Sequence, residues 1–230
     1  MYLAELWRYS VKSMAGEMLP ETVLGPMGIP GDRDLYVVDG RGHVVTARNR
    51  PRLLLHRASI DGQGQPTVDG LTWEDWEVAR RVRDAAGDSA RLVRAQGGER
   101  FDILPICVAT DGAVAALGTD RRRLRPNLLI GGVEGLVERE WEHRFLRIGE
   151  VVIGLAGLRQ RCIMTTWDPD SGEQDLDILR RIHYQFGGLM ALDAWAVVGG
   201  RIKVGDLVEL ADDIEAAPPP VRGRFAREER

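Results

Sequence analysis

Cys107 and Cys162 are the only thiols in the 230 residues, and their surroundings differ. Cys162 sits in the run LRQRCIMTTWDPDSG, just after Arg159 and Arg161. Neighbouring cations favour a thiolate, the form that binds soft metals and attacks electrophiles. The same residue alternates with Met164 on what reads as a strand over 161–167, where a cysteine serves as a small core side chain. Residue chemistry leaves these two readings level. Cys107 lies inside the apolar run ILPICVAT and reads as buried and inert. Donors for an anion recur at the ends of three β-like runs: Lys12 and Ser13 in YSVKS, Arg33 in GDRDLYVVD, and Thr46 and Arg48 in VTARNRPRL. An ammonium, a hydroxyl and a guanidinium all donate to phosphate oxygens. Taken alone, YSVKS reads as a turn with an exposed lysine. Arg125-Pro126-Asn127 adds an arginine fork and an amide at a proline-fixed strand edge, while the charge run beginning at Arg121 reads as a solvated face. Asp168 and Asp170, just past Cys162, are placed either to manage protons or to build the D-P-D-S-G turn.

Composition narrows the chemistry. A net charge of −4 argues against a general nucleic-acid or anionic-membrane binder. No apolar run reaches the ~20 residues of a membrane-spanning helix, and the opening MYLAELWRYSVKS does not read as a signal peptide. With two cysteines 55 positions apart, a reducing, cytoplasmic setting is expected. His43, His56, His143 and His183 are scattered without metal-ligand spacing, so an all-protein metal cage is not expected. Two thiols cannot supply a conventional iron–sulfur cluster. Lys12 and Lys203 are the only lysines and neither has a phosphate-loop pattern around it, so no pyridoxal phosphate is expected. Any metal must bring most of its own ligands.

These residues need a scaffold, and the pattern is that of a mixed α/β, β-rich chain. With 44% hydrophobic residues it can bury a core without disulfide or metal. DLYVVD (34–39) and HVVTAR (43–48) form a hairpin turning at Asp39-Gly40, and LLLHRASI (53–60) reads as a third strand. Thr72-Trp73-Glu74-Asp75 resembles a capping box opening a helix that carries Trp73, Trp76, Ala79 and Val82 and stops at Gly87. Both tryptophans are expected to pack that helix onto a sheet. After a strand at 90–95, the Gly97-Gly98 step is the expected seam between a unit over 1–96 and a second over 97–210. The second unit reads as strands at 103–110, 127–132, 161–167 and 190–198, a hairpin around Gly149, and helices beginning near Asp111 and Asp175. Residues 211–230 carry Pro-Pro-Pro, mixed charge and no periodicity. They read as a disordered end without chemistry.

In order along the chain, LWRYSVKSMAGE, GDRDLYVVDGRGHVVTARNRPRL, RPNLLIGG and RCIMTTWDPDSG resemble the MOSC family, related to the C-terminal domain of molybdenum cofactor sulfurase. The resemblance covers about residues 1–210 and points to members that pair an N-terminal β-barrel module with a MOSC-type β-barrel domain and peripheral helices. It implies a molybdenum held by the dithiolene of a pterin cofactor, with Cys162 as the protein's ligand. It further implies that Lys12, Ser13, Arg33 and Arg125 hold the pterin and its phosphate. By the same resemblance Thr110, Asn127, Gln160 and Arg161 would line the site, and Asp168 is a candidate proton carrier. The implied activity is reduction of N-hydroxylated small molecules with electrons from a separate protein. The alternatives are a carrier of the cofactor, or of sulfur on Cys162, and a plain anion-binding barrel with Cys162 in its core.

Overall fold

The computed structural model describes residues 1–212 and 217–225. Its first strands are β1 (Tyr2–Arg8), β2 (Glu17–Leu19) and β3 (Glu21–Leu24), followed by the hairpin β4 (Leu35–Val38) and β5 (Val44–Val45). Asp39 closes that hairpin by accepting from the Arg41 and His43 amides, at 2.8 and 2.9 Å. The expected strand at 53–60 divides. Pro51, with its fixed φ and no amide hydrogen, opens a 3-10 turn over Pro51–Leu55, and only β6 (Ala58–Ile60) is extended. It pairs with β7 (Pro66–Val68), and β7 with β8 (Leu71–Thr72).

Because Thr72 is committed to β8, it does not cap the helix that follows. Asp75 does so, accepting from the Glu77 amide at the start of α1 (Trp76–Ala86), and Gly87 ends it as expected. The buried face of α1 is Val78, Val82, Ala85 and Ala86. That spacing turns Trp76 outward, 73% exposed, so only Trp73 packs on the core. β9 (Arg91–Arg94) joins β4.

The remaining elements are β10 (Ile106–Thr110), α2 (Asp111–Leu117), β11 (Leu128–Gly131), β12 (Phe145–Ile148), β13 (Val151–Gln160), α3 (Leu176–Phe186), β14 (Leu189–Val198), β15 (Gly200–Lys203) and β16 (Glu209–Ala211). Eight strands form the main sheet in the order β16-β12-β13-β14-β10-β11-β1-β2, so β1 pairs with β11, more than 100 residues away in sequence, and carries β2 at the edge. Leu3 N donates to Asp206 O (2.9 Å), Gly205 N to Leu3 O (2.8 Å) and Val208 N to Met1 O (3.0 Å). These bonds bring the β16 end back to β1 and close the sheet around a core that includes Leu6, Ile106, Ile130, Ile153 and Leu192. The architecture is mixed α/β and rich in sheet, with three α-helices among the described residues.

Two expectations near the site fail. The segment 161–167 is not a strand: β13 stops at Gln160, and Ile163–Thr166 is a 3-10 turn with Cys162 at its N-cap. The Thr-Thr step explains this. Thr165 Oγ1 donates back to Cys162 O (3.0 Å) and Thr166 Oγ1 to Ile163 O (2.7 Å), drawing the backbone out of the ladder. The C-terminal tail is also not wholly without structure. Residues 223–225 donate their amides to the carbonyls of residues 101–103, whereas 213–216 and 226–230 lie outside the described residues.

Candidate functional site

A cleft of about 310 Å³ lies where the loop after β1, the turns flanking β4 and β5, the residue before Pro126 and the end of β13 converge. The loops are zipped together by backbone bonds. Arg33 N donates to Tyr9 O (2.7 Å), Leu35 N to Ser10 O (3.1 Å) and Lys12 N to Leu35 O (2.8 Å). Ser13, Arg33 and Arg125 have φ of 72°, 55° and 51°, three of the six non-glycine residues in left-handed backbone among the described residues. Such conformations cost about 1–3 kcal/mol each and collect where a fold positions functional groups.

Tyr9 is the post on which two of those residues lean. Its ring is buried, with the Arg33 and Arg125 guanidinium carbons 5.3 and 4.2 Å from its centroid. Its hydroxyl donates to Pro126 O at 3.2 Å, and burial raises its pKa above the ordinary phenol value. Asp32, fully buried, accepts from the Tyr9 amide (2.7 Å) and pairs with Arg33. Asn127 Oδ1 accepts from Arg33 at 3.3 Å and from the Cys107 amide at 3.1 Å. Arg33 is therefore held from several sides.

The lining is strongly positive: Lys12, Arg33, Arg48, Arg125, Arg159 and Arg161 face the cleft, with Asp102 the one carboxylate among the described lining residues and Asp32 and Asp193 pairing with Arg33 and Arg159. Burial lowers the pKa of Arg125 to about 10, and burial likewise lowers Lys12, more than the pull of Asp102 restores. Arg161 is lowered by burial too; its guanidinium donates to Leu124 O at 2.7 Å, and its Nε is buried without a partner. Cys162 is half-buried at the cleft wall, held extended by its N-cap position. Arg48 pairs with Asp102 at 2.6 Å; burial works to lower its pKa, but Asp102 and the nearby Cys162 raise it overall. The arrangement can take an anion of several oxygens and present a sulfur donor beside it.

Among the expected site residues, Lys12, Ser13, Arg33, Arg125, Gln160, Arg161 and Cys162 line this cleft, together with Thr46 and Arg48. Thr110, Asn127 and Asp168 do not. Thr110 is fully buried and caps α2 by accepting from the Ala113 amide at 3.0 Å. Asn127 acts at one remove, through Arg33. Asp168 is spent on its turn, accepting from the amides of Asp170 and Ser171 at 3.0 and 2.9 Å and pairing with Arg123. Asp170 pairs with Arg122. The arginine run is thus not a solvated face: Arg121 pairs with Glu5, Arg122 and Arg123 with acidic partners, and Arg125 lies under Tyr9. Sequence reasoning missed Asp102 and Phe225, both in segments without periodicity. Asp168→Asn should accordingly cost about 1 kcal/mol of stability and leave the cleft's affinity for inorganic phosphate within about twofold. Thermal melting and calorimetric titration check this, and an affinity change above tenfold would return Asp168 to the site.

The fold is a closed, sheet-rich one with a cationic cleft and a thiol at the cleft wall. Residues 1–99 match the MOSC N-terminal beta barrel domain and residues 98–209 the MOSC domain, and the chain belongs to the MOSC family. It is similar to mitochondrial amidoxime reducing component 2 of Homo sapiens, 25% identical over 277 aligned positions covering 90% of this chain and 82% of the relative. It is 26% identical over 228 positions to mitochondrial amidoxime-reducing component 1 of the same organism, covering 74% and 67%. Among solved structures, the YUAD protein from Bacillus subtilis superimposes with a TM-score of 0.47 at 14% identity, over 91% of this chain and 94% of that one.

Proposed function

We propose that the cleft binds the molybdenum cofactor and that the chain reduces N-hydroxylated small molecules there, with electrons from a separate donor protein. The observation that carries this is a half-buried thiol in the same cleft as six cations, two of which, Arg125 and Arg161, have no carboxylate partner among the described residues. A phosphate-bearing pterin with its own sulfurs fits that donor set: Arg125 and Arg161 lack a counter-charge among the described residues, and the partnerless Arg161 Nε is a buried donor in want of an acceptor. When bound, the cofactor supplies a two-electron redox centre.

The chain's own residues do the holding. Lys12, Ser13, Arg33 and Arg125 suit the phosphate and pterin, each able to donate a hydrogen bond and the cations adding charge. Gln160 and Arg161 flank Cys162, whose soft sulfur is the donor a thiophilic metal selects. The reaction breaks an N–O bond, consumes two electrons and two protons, and releases an amine-type product and water. The relatives' name, amidoxime reducing component, supports this substrate class. Both cysteines are free, in keeping with a reducing compartment such as the cytoplasm. No helix of the described residues is long and apolar enough to cross a membrane.

The test is molybdenum and pterin analysis of chain purified from a cofactor-making host, followed by a hydroxylamine reduction assay with a chemical reductant. Bound cofactor with turnover is the expected result. Tight binding without turnover would make the chain a carrier instead, and absence of pterin would sink both readings. Lys12→Ala or Arg33→Ala should each weaken cofactor retention about tenfold to a hundredfold, the worth of one charge-assisted hydrogen bond. Full pterin occupancy in both variants after dialysis would move the phosphate elsewhere.

A further inference from the structure

Two of the cleft's cations already hold an anion from within the chain. Asp102 Oδ1 lies 2.7 Å from Lys12 Nζ, and its Oδ2 lies 2.6 Å from the Arg48 guanidinium. A carboxylate giving one oxygen to an ammonium and the other to a guanidinium makes the contacts that two phosphate oxygens would make. Protonation does not loosen it readily: burial works to raise the Asp102 pKa, but Lys12 and Arg48 hold it well below the usual carboxylate range.

Asp102 belongs to no strand or helix. It lies between the 3-10 turn Gly98–Arg100 and β10, and what fixes it is the C-terminal segment. Gly223 N donates to Ile103 O (2.7 Å), Arg224 N to Phe101 O (3.0 Å) and Phe225 N to Asp102 O (2.7 Å). Glycine permits the approach on both sides. A Cβ on Gly223 would stand 2.7 Å from Phe101 O, and one on Gly98 would stand 2.6 Å from Arg222 O. The Phe225 ring lies 5.9 Å from the Arg48 guanidinium carbon and lines the cleft.

We propose that Asp102 is an internal counter-anion that competes with a phosphate group for Lys12 and Arg48, and that residues 222–225 are the clamp that sets how readily it yields. This rests on the cofactor reading above. An entering phosphate must break two charge-assisted hydrogen bonds to gain two of its own, so the resident carboxylate holds the cradle together while lowering its net affinity. The clamp adds to that cost, because the Asp102 segment cannot move without shedding its three bonds to the tail. Loading is therefore coupled to the C-terminal segment.

Calorimetric titration of inorganic phosphate into full-length chain, purified from a host unable to make the cofactor, tests this. Asp102→Asn should bind phosphate about tenfold or more tightly than wild type. Adding Lys12→Ala should erase that gain. Gly223→Val should give part of it, and Gly98→Ala, whose Cβ would meet Arg222 O, repeats the clamp test if the valine variant melts early. Equal affinity in wild type and Asp102→Asn, with Lys12→Ala weaker, overturns the counter-anion and leaves the cradle standing. Phosphate binding indifferent to Lys12→Ala overturns both, and clamp variants identical to wild type overturn the clamp. In cofactor-loaded chain, Asp102→Asn should also slow pterin loss on dialysis about tenfold. A gain for free phosphate with none in pterin retention would assign the cradle to inorganic phosphate.

Discussion

Cys162→Ser should lose molybdenum-dependent reduction, to below about a hundredth of the wild-type rate, while keeping its fold. Outer partners of a metal site alone are worth about 10–100-fold, and a direct ligand is worth more. Serine is harder to deprotonate and a poorer donor to a thiophilic metal. Cys162 is half-buried and outside the sheet, so the substitution disturbs little packing. Cys107 provides the contrast. It is fully buried on β10, in the cluster with Ala113, Leu117, Ile178 and Ile182. Cys107→Ser should cost about 1–3 kcal/mol through a buried hydroxyl and leave turnover per folded molecule unchanged. Metal content, denaturant melts and turnover measured on both variants separate the roles. Wild-type turnover in Cys162→Ser would end the enzyme reading.

Asp193→Ala should destabilise the chain by about 3–5 kcal/mol, because it strands a buried guanidinium. Asp193 lies on β14, in register with Cys107 on β10 and Gly157 on β13, and it accepts from Arg159 Nε at 2.6 Å. Arg159 in turn lines the cleft. Adding Arg159→Met should recover much of the loss, since an apolar side chain needs no counter-charge. Urea melts of the single and double variants read this directly. A single-variant loss under 1 kcal/mol would mean that Arg159 finds water or another acceptor when its partner goes.

Local chemistry carried a good part of this protein in its sequence. The turns at Asp39-Gly40 and Gly149, and the helices that open at Asp111 and Asp175, follow from side chains that bond their own neighbourhood and from glycines that tolerate left-handed backbone. The donors Lys12, Ser13, Arg33 and Arg125 were readable as chemistry because each sits at the end of a β-like run. What the sequence could not show depends on partners far along the chain. The sequence leaves Asp168 open between proton carrier and D-P-D-S-G turn, and only the fold commits it to the turn, as it commits Thr110 to the cap of α2. Nothing in 161–167 outweighs its β-like composition except two threonine hydroxyls whose acceptors are set by the backbone they bend. Asp102 meets Lys12 across 90 positions and the tail across 120 more, through a segment with no periodicity of its own. β1 finds β11 only because closing the sheet buries Leu3 and Leu6 against Ile106 and Ile130. Residue type determined which groups could bind an anion and a soft metal; the closure of the sheet, a collective consequence of apolar burial, decided which of them share one cleft.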